Sequence, residues 1–214
     1  ANIHSVIASY ILENGYDCDV EITKGRTNPI LASLIDNNID IIFEHWSYNN
    51  DESSPEIKFE RKLRFSSLVE GIVADESKGK VYIGQERKGI WEINVFPTTD
   101  EERKLIFKKN KFFKPDFEGL ALRDDGDSKG YLISSVQGSN GYLLIDRESL
   151  KAKTFFRVIS GKTIDGTTET DGIDVTSIST KKFPKGFFIA QDDDNDGLNQ
   201  NFKLVDWRKI INEN

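Results

Sequence analysis

The sequence is poor in the residues that most often build covalent or metal-thiolate chemistry. It has 1 Cys, 2 His, 5 Pro and no Met in 214 residues. One cysteine excludes an internal disulfide framework and a cysteine-ligated zinc site. Cys18 has no sequence partner and reads as an ordinary thiol. Both histidines, His4 and His45, lie near the N-terminus, so a Ser-His-Asp triad further along has no base. No apolar run approaches the roughly 18 residues of a membrane-spanning helix. There is no P-loop and no G-x-G-x-x-G turn. A net charge of -7 withholds the basic face of a general nucleic-acid binder. With no Met and no signal peptide in view, the chain is expected to start downstream of its initiator, by processing or truncation, and a secreted or periplasmic location is compatible with this. What is present, 37% hydrophobic residues with 14 Phe, suffices for a folded core.

Charge and pattern change together along the chain. Residues 1–60 hold 3 basic and 11 acidic residues, a net of -8; the remainder holds 26 and 25, a net of +1. In the first part, apolar residues at Ile3, Val6, Ile7, Tyr10 and Ile11 recur at helical spacing, and Gly15 follows as a stop. Residues 19–23 alternate like a strand, 28–35 read as a helix and 39–43 as a buried strand, which is α/β construction. Residues 51–60 are polar and linker-like. From residue 61 onward, short runs of Val, Ile, Tyr and Phe alternate with Gly, Asp, Lys and Ser turns. A helix is signalled only around Trp207–Ile211.

The β-rich part repeats itself. Val69-Glu70-Gly71-Ile72, Phe117-Glu118-Gly119-Leu120 and Thr170-Asp171-Gly172-Ile173 open three units of the same grammar. Their equivalent aromatics Tyr82, Tyr131 and Phe187 are 49 and 56 residues apart. Each unit supplies three strands, and Leu63–Phe65, Lys111–Phe113 or Lys153–Val158 can add a fourth. Four strands per roughly 50 residues is the grammar of a β-propeller blade. The fold class expected is therefore mainly β, a partial propeller of three blades behind a short α/β segment. Closure takes at least about four blades, so a longer protein or a partner chain is expected to complete the ring.

Each unit places an acid before a glycine at the start of its innermost strand: Glu70, Glu118 and Asp171. Gln85-Glu86, Gln137 and Gln191-Asp192 end the second strands. In a propeller such positions converge at one end of the channel. A ring of carboxylates repels itself unless cations neutralise it, and hard oxygen donors suit calcium. Asp192–Gly197 matches the first half of an EF-hand loop, but Lys203 stands where the bidentate acid belongs and no flanking helices are signalled, which excludes an EF-hand. The run Lys104–Lys111 reads as a solvated strand and turn.

On these stretches, together with Asp165-Gly-Thr-Thr-Glu-Thr-Asp171-Gly-Ile-Asp-Val175, Ala190-Gln191-Asp192 and Asn199-Gln-Asn-Phe-Lys203-Leu-Val205, the chain resembles the β-propeller phytases. The resemblance covers about residues 61–211, the last three of that family's six blades. It implies calcium-dependent hydrolysis of phosphate monoesters of phytate by a calcium-activated water. It implies calcium ligands at Glu70, Glu86, Asp116, Glu118, Asp165, Asp171 and Asn195, with Glu86, Glu118 and Asp171 as the catalytic set. One acid of the family's usual Glu-Glu pair is here Gln85, and the loop after Asn195 is shorter. A catalytically silent half-propeller that needs a partner is the alternative expectation. Residues 1–50, on Ile11–Asp17, Ala32, Asn38–Ile41 and Glu44-His45-Trp46, resemble a fragment of the glycine betaine/proline substrate-binding proteins of ABC importers. That implies a chimeric chain and, through Trp46, betaine-type solute binding by cation–π contact.

Overall fold

The computed structural model describes residues 61–96, 103–114 and 116–211. The expected α/β segment, the 51–60 linker, His4, Cys18, His45 and Trp46 lie outside the described residues. Within them the chain folds into three antiparallel sheets in sequence order. The first contains β1 (Val69–Asp75), β2 (Lys80–Gln85), β3 (Gly89–Asn94) and β4 (Lys104–Lys108). The second contains β5 (Phe117–Asp124), β6 (Gly130–Val136), β7 (Gly141–Asp146) and β8 (Ala152–Phe156). The third, among the described residues, has three strands: β9 (Ile173–Thr176), β10 (Phe187–Asp192) and β11 (Asn201–Asp206). A single helical turn, Trp207–Ile210, follows.

Each sheet is a meander of adjacent strands, and the innermost strands β1, β5 and β9 lie side by side. This is a partial β-propeller of mainly β structure, with the three repeats as its blades. The outer strands differ in part from expectation. Ala152–Phe156 fills the fourth position of the second blade as the 153–158 reading anticipates. In the first blade that position belongs to Lys104–Lys108, not to Leu63–Phe65 or Lys111–Phe113. Ile106 and Phe107 bring this strand its apolar contacts, whereas residues 111–112 form a turn and Phe113 packs edge-on to Phe107 at 5.8 Å.

Two apolar clusters hold the blades together. Tyr82, Ile90, Phe117, Leu120, Leu132 and Ile145 belong to the cluster that joins the first blade to the second. Ile133, Tyr142, Leu144, Phe188 and Trp207 belong to the cluster that joins the second to the third. Neighbours along one strand point to opposite faces, so Leu132 and Ile133 serve different clusters. The middle blade is buried on both faces, and its strands read as continuous rather than alternating apolar runs for that reason.

A buried ion pair adds a polar tie between the first two blades. Arg147, 1% exposed, sets Nε 2.8 Å and Nη2 2.7 Å from the carboxylate oxygens of Asp75, itself 0% exposed. Burial works against the charge on Asp75, but hydrogen bonds from Arg147 and Ser77 outweigh it and hold the carboxyl below its usual range.

Candidate metal centre

The acid-glycine pairs sit at irregularities in the ladders. The register between β1 and β2 shifts between Val69 and Ile72, and that between β5 and β6 shifts between Phe117 and Leu120. Bulges of this kind re-aim the neighbouring side chain, here Glu70 and Glu118. The glycines allow the inner strands to come close. A Cβ on Gly71 would lie 2.2 Å from the carbonyl oxygen of Glu118, and one on Gly119 would lie 2.3 Å from that of Asp171. Any side chain there would force the blades apart. The acid of one blade is thus seated directly over the glycine of the blade before.

The consequence is a convergence of carboxylates. One oxygen each from Glu86, Asp116 and Glu118 lies within 4.8 Å of the others. Glu118, 8% exposed, has its pKa pushed up to about 7 by burial first, then by the charges of Glu70, Asp171, Glu86 and Asp116. The backbone fixes two of these acids from the neighbouring ladders. The carbonyl of Glu86 accepts from Phe117 N–H at 3.2 Å, and that of Asp116 accepts from Gln137 N–H at 3.0 Å. Asp171 is exposed but oriented: Gln137 Nε2 donates to its carboxylate at 2.6 Å, and its own N–H donates to Gln191 Oε1 at 2.9 Å. Three of the seven expected ligands, Glu86, Asp116 and Glu118, thus converge, and the charges of Glu70 and Asp171 act on Glu118.

Asp165 and Asn195 are gathered differently. Lys203, 6% exposed, forms an ion pair with Asp165 and lies 3.1 Å from Asp192 Oδ2 and 3.3 Å from Asn195 Oδ1. Gln85 is not part of the acid site either. Its amide donates to Ser66 and Ser67 and accepts from Trp91 Nε1 at 3.0 Å, which leaves it 1% exposed and fully engaged. Sequence reasoning gave no structural part to Lys203, Asp75 or Arg147, and the orienting role of Gln137 went unread. A lysine in the closing position of an acidic loop was the available signal for the first. Nothing local marked Arg147, which finds Asp75 across 72 residues.

The donor set fits calcium. All the converging atoms are hard carboxylate oxygens, and burial together with four neighbouring negative charges raises the Glu118 pKa. The fold and the site together define a partial propeller with an acidic, oxygen-lined cluster that could hold a metal ion. The chain belongs to the Phytase family, whose model matches residues 42–213. A 3-phytase of Bacillus subtilis (strain 168) is 36% identical over 157 residues, which cover 70% of this chain and 41% of that protein. The chain thus spans about two fifths of the length of that curated relative.

Proposed function

We propose that this chain serves calcium-dependent hydrolysis of phosphate monoesters, with phytate as substrate and an extracellular or periplasmic place of action. The observation that carries the reading is the Glu86–Asp116–Glu118 convergence, where burial and neighbouring negative charge push the Glu118 pKa up to about 7. Family membership and the likeness to a 3-phytase support the substrate class. Glu86, Asp116 and Glu118 would hold the ion, with Glu70 and Asp171 at the rim. When bound, calcium supplies positive charge for phosphate oxygens and a more acidic water. Gln137 and Gln191 keep the Asp171 carboxylate aimed at the site while the substrate is in place. In this reading Glu86, Glu118 and Asp171 form the catalytic set, as the resemblance to the family implies. Hydrolysis adds water across the P–O ester bond and leaves inorganic phosphate and an inositol hydroxyl.

The test is phosphate release from phytate by the purified chain, first with millimolar calcium and then with excess chelator. Release that chelator abolishes, and that Glu118→Ala removes, is the expected result. Release that persists in chelator overturns the calcium reading.

A second reading rests on the two ends of the stack. Among the described residues, a Cβ on Gly172 would meet nothing within 4 Å, in contrast to Gly71 and Gly119. Ile72 is 63% exposed, whereas Leu120, its counterpart in the second blade, is 8% exposed. The first and third blades each present half of an inter-blade contact. Further blades, from a longer chain or a second copy, would complete both, and the 61–214 part would then be an assembly half. Light scattering of the purified chain distinguishes a lone monomer from a self-completing dimer. The division into a 1–50 segment, a 51–60 linker and the blades belongs to the same proposal.

A further inference from the structure

The loop Asp192–Gly197 carries acids at alternate positions and then a glycine, the opening of a calcium loop. Its chain turns sharply, with Asn195 and Asp196 at φ 37 and 52. In a calcium loop a bidentate carboxylate at the twelfth position would close this cage around the ion. Here that position is Lys203, on β11 opposite Ala190 of β10. Its side chain turns back into the loop, where it forms an ion pair with Asp165 and lies 3.1 Å from Asp192 Oδ2 and 3.3 Å from Asn195 Oδ1. The ammonium donates to Asp165 and Asn195 and lies in ion-pair contact with Asp192.

We propose that Lys203 is the resident cation of this loop, so that Asp165 and Asn195 are held by a tethered ammonium and are not calcium ligands. Two observations support this. Lys203 is 6% and Asp192 1% exposed, so both charges are shielded from water and committed to each other. Calcium needs about six to eight oxygens, and an ammonium already paired with Asp165 and Asp192 competes with a dication for their charge.

The consequence reaches Asp171. Asp192 Oδ1 accepts from Thr168 N–H at 2.9 Å, and Asp193 N–H donates to Thr168 O at 3.2 Å. The segment that carries Asp171 is therefore pinned to a lysine-held loop. Its order does not depend on calcium, whereas the charge balance around Glu118 does.

Counting bound calcium per chain by calorimetry and by elemental analysis after gel filtration tests this on the intact chain. Asp165→Asn is expected to bind as many ions as the wild type. Lys203→Gln is expected to gain one further ion, and its melting temperature, lowered in chelator, is expected to recover with calcium. Loss of an ion in Asp165→Asn overturns the proposal, as does a folded Lys203→Gln that gains none. If Lys203→Gln does not fold, the Asp165→Asn count decides alone. Glu118→Gln separates this proposal from the preceding one. Unchanged calcium binding there sinks the Glu118 centre and leaves the Lys203 result standing.

Discussion

Removal of Asp75 is expected to be among the most damaging single changes outside the acid site. Asp75→Ala strands the guanidinium of Arg147, which is 1% exposed and keeps only Asp124, 56% exposed, as a carboxylate partner. Breaking a buried pair from one side costs about 3–5 kcal/mol. Because Asp124 stays in reach, the lower end applies, about 3 kcal/mol. With a urea slope of about 2 kcal/mol/M for a unit of this size, the unfolding midpoint falls by about 1.5 M. Tryptophan fluorescence is a suitable probe, since Trp91 and Trp207 report on different blades. The double variant Asp75→Leu/Arg147→Met removes both charges and is expected to recover most of the loss. Refutation is simple to recognise: costs of the two single variants that add in the double one would mean that the residues do not depend on each other. Acid gives an independent check of sign. The carboxyl of Asp75 is held below its usual 3.8, so its contribution is complete above that pH and is lost as pH falls through the lower folded value.

Other expectations concern the acid site and its support. Gly119→Ala sets a methyl 2.3 Å from the Asp171 carbonyl oxygen; it should lower both melting temperature and calcium affinity, and a variant that binds calcium as the wild type does would remove the close approach from the argument. In chelator, Glu118 ionises at about 7 in the folded chain against an ordinary 4.5. The metal-free chain should therefore lose stability as pH rises through that interval, and Glu118→Gln should flatten the slope. A wild-type melting temperature that rises relative to Glu118→Gln over the same interval contradicts this. Tyr142→Phe removes a hydroxyl bonded to Thr167 at 2.7 Å and Thr170 at 2.8 Å. Urea denaturation should show a cost of about 1–2 kcal/mol, and no cost would mean that the two threonines satisfy each other.

Much of the blade plan was legible because it repeats. Glu70-Gly71, Glu118-Gly119 and Asp171-Gly172 mark the same corner three times, and three aligned copies distinguish a structural position from a chance acid. The outer strands were less legible. Lys104–Lys108 has lysines at both ends and only three apolar residues between them, so its place in the sheet follows from packing against the first cluster rather than from its own pattern. Asp116 could not be read from the repeat, since it precedes the strand and enters the site through the Gln137–Asp116 backbone bond. Lys203 is visible in the sequence as the wrong residue for an EF-hand loop and as part of the Asn199–Val205 stretch that carries the resemblance. Its actual part depends on how a long side chain bends back across β11, which spacing along a sequence does not encode.

The double burial of the middle blade has a consequence for how the chain opens. β6 and β7 feed Leu132, Leu143 and Ile145 to one cluster and Ile133, Tyr142 and Leu144 to the other. Either outer blade can detach by giving up one cluster, but the middle one leaves only if both are lost. The blades then act as a short linear array with nearest-neighbour coupling, frayed from its ends. Amide hydrogen exchange should be slowest in the middle sheet, through global opening, and faster toward the first and third through partial opening. Glu118 lies on a strand of the blade that opens last, with Asp116 just before it, while Glu70, Glu86 and Asp171 ride on the blades that open first. The candidate metal centre thus spans all three cooperative units, and an ion bound there would tie their openings into one event.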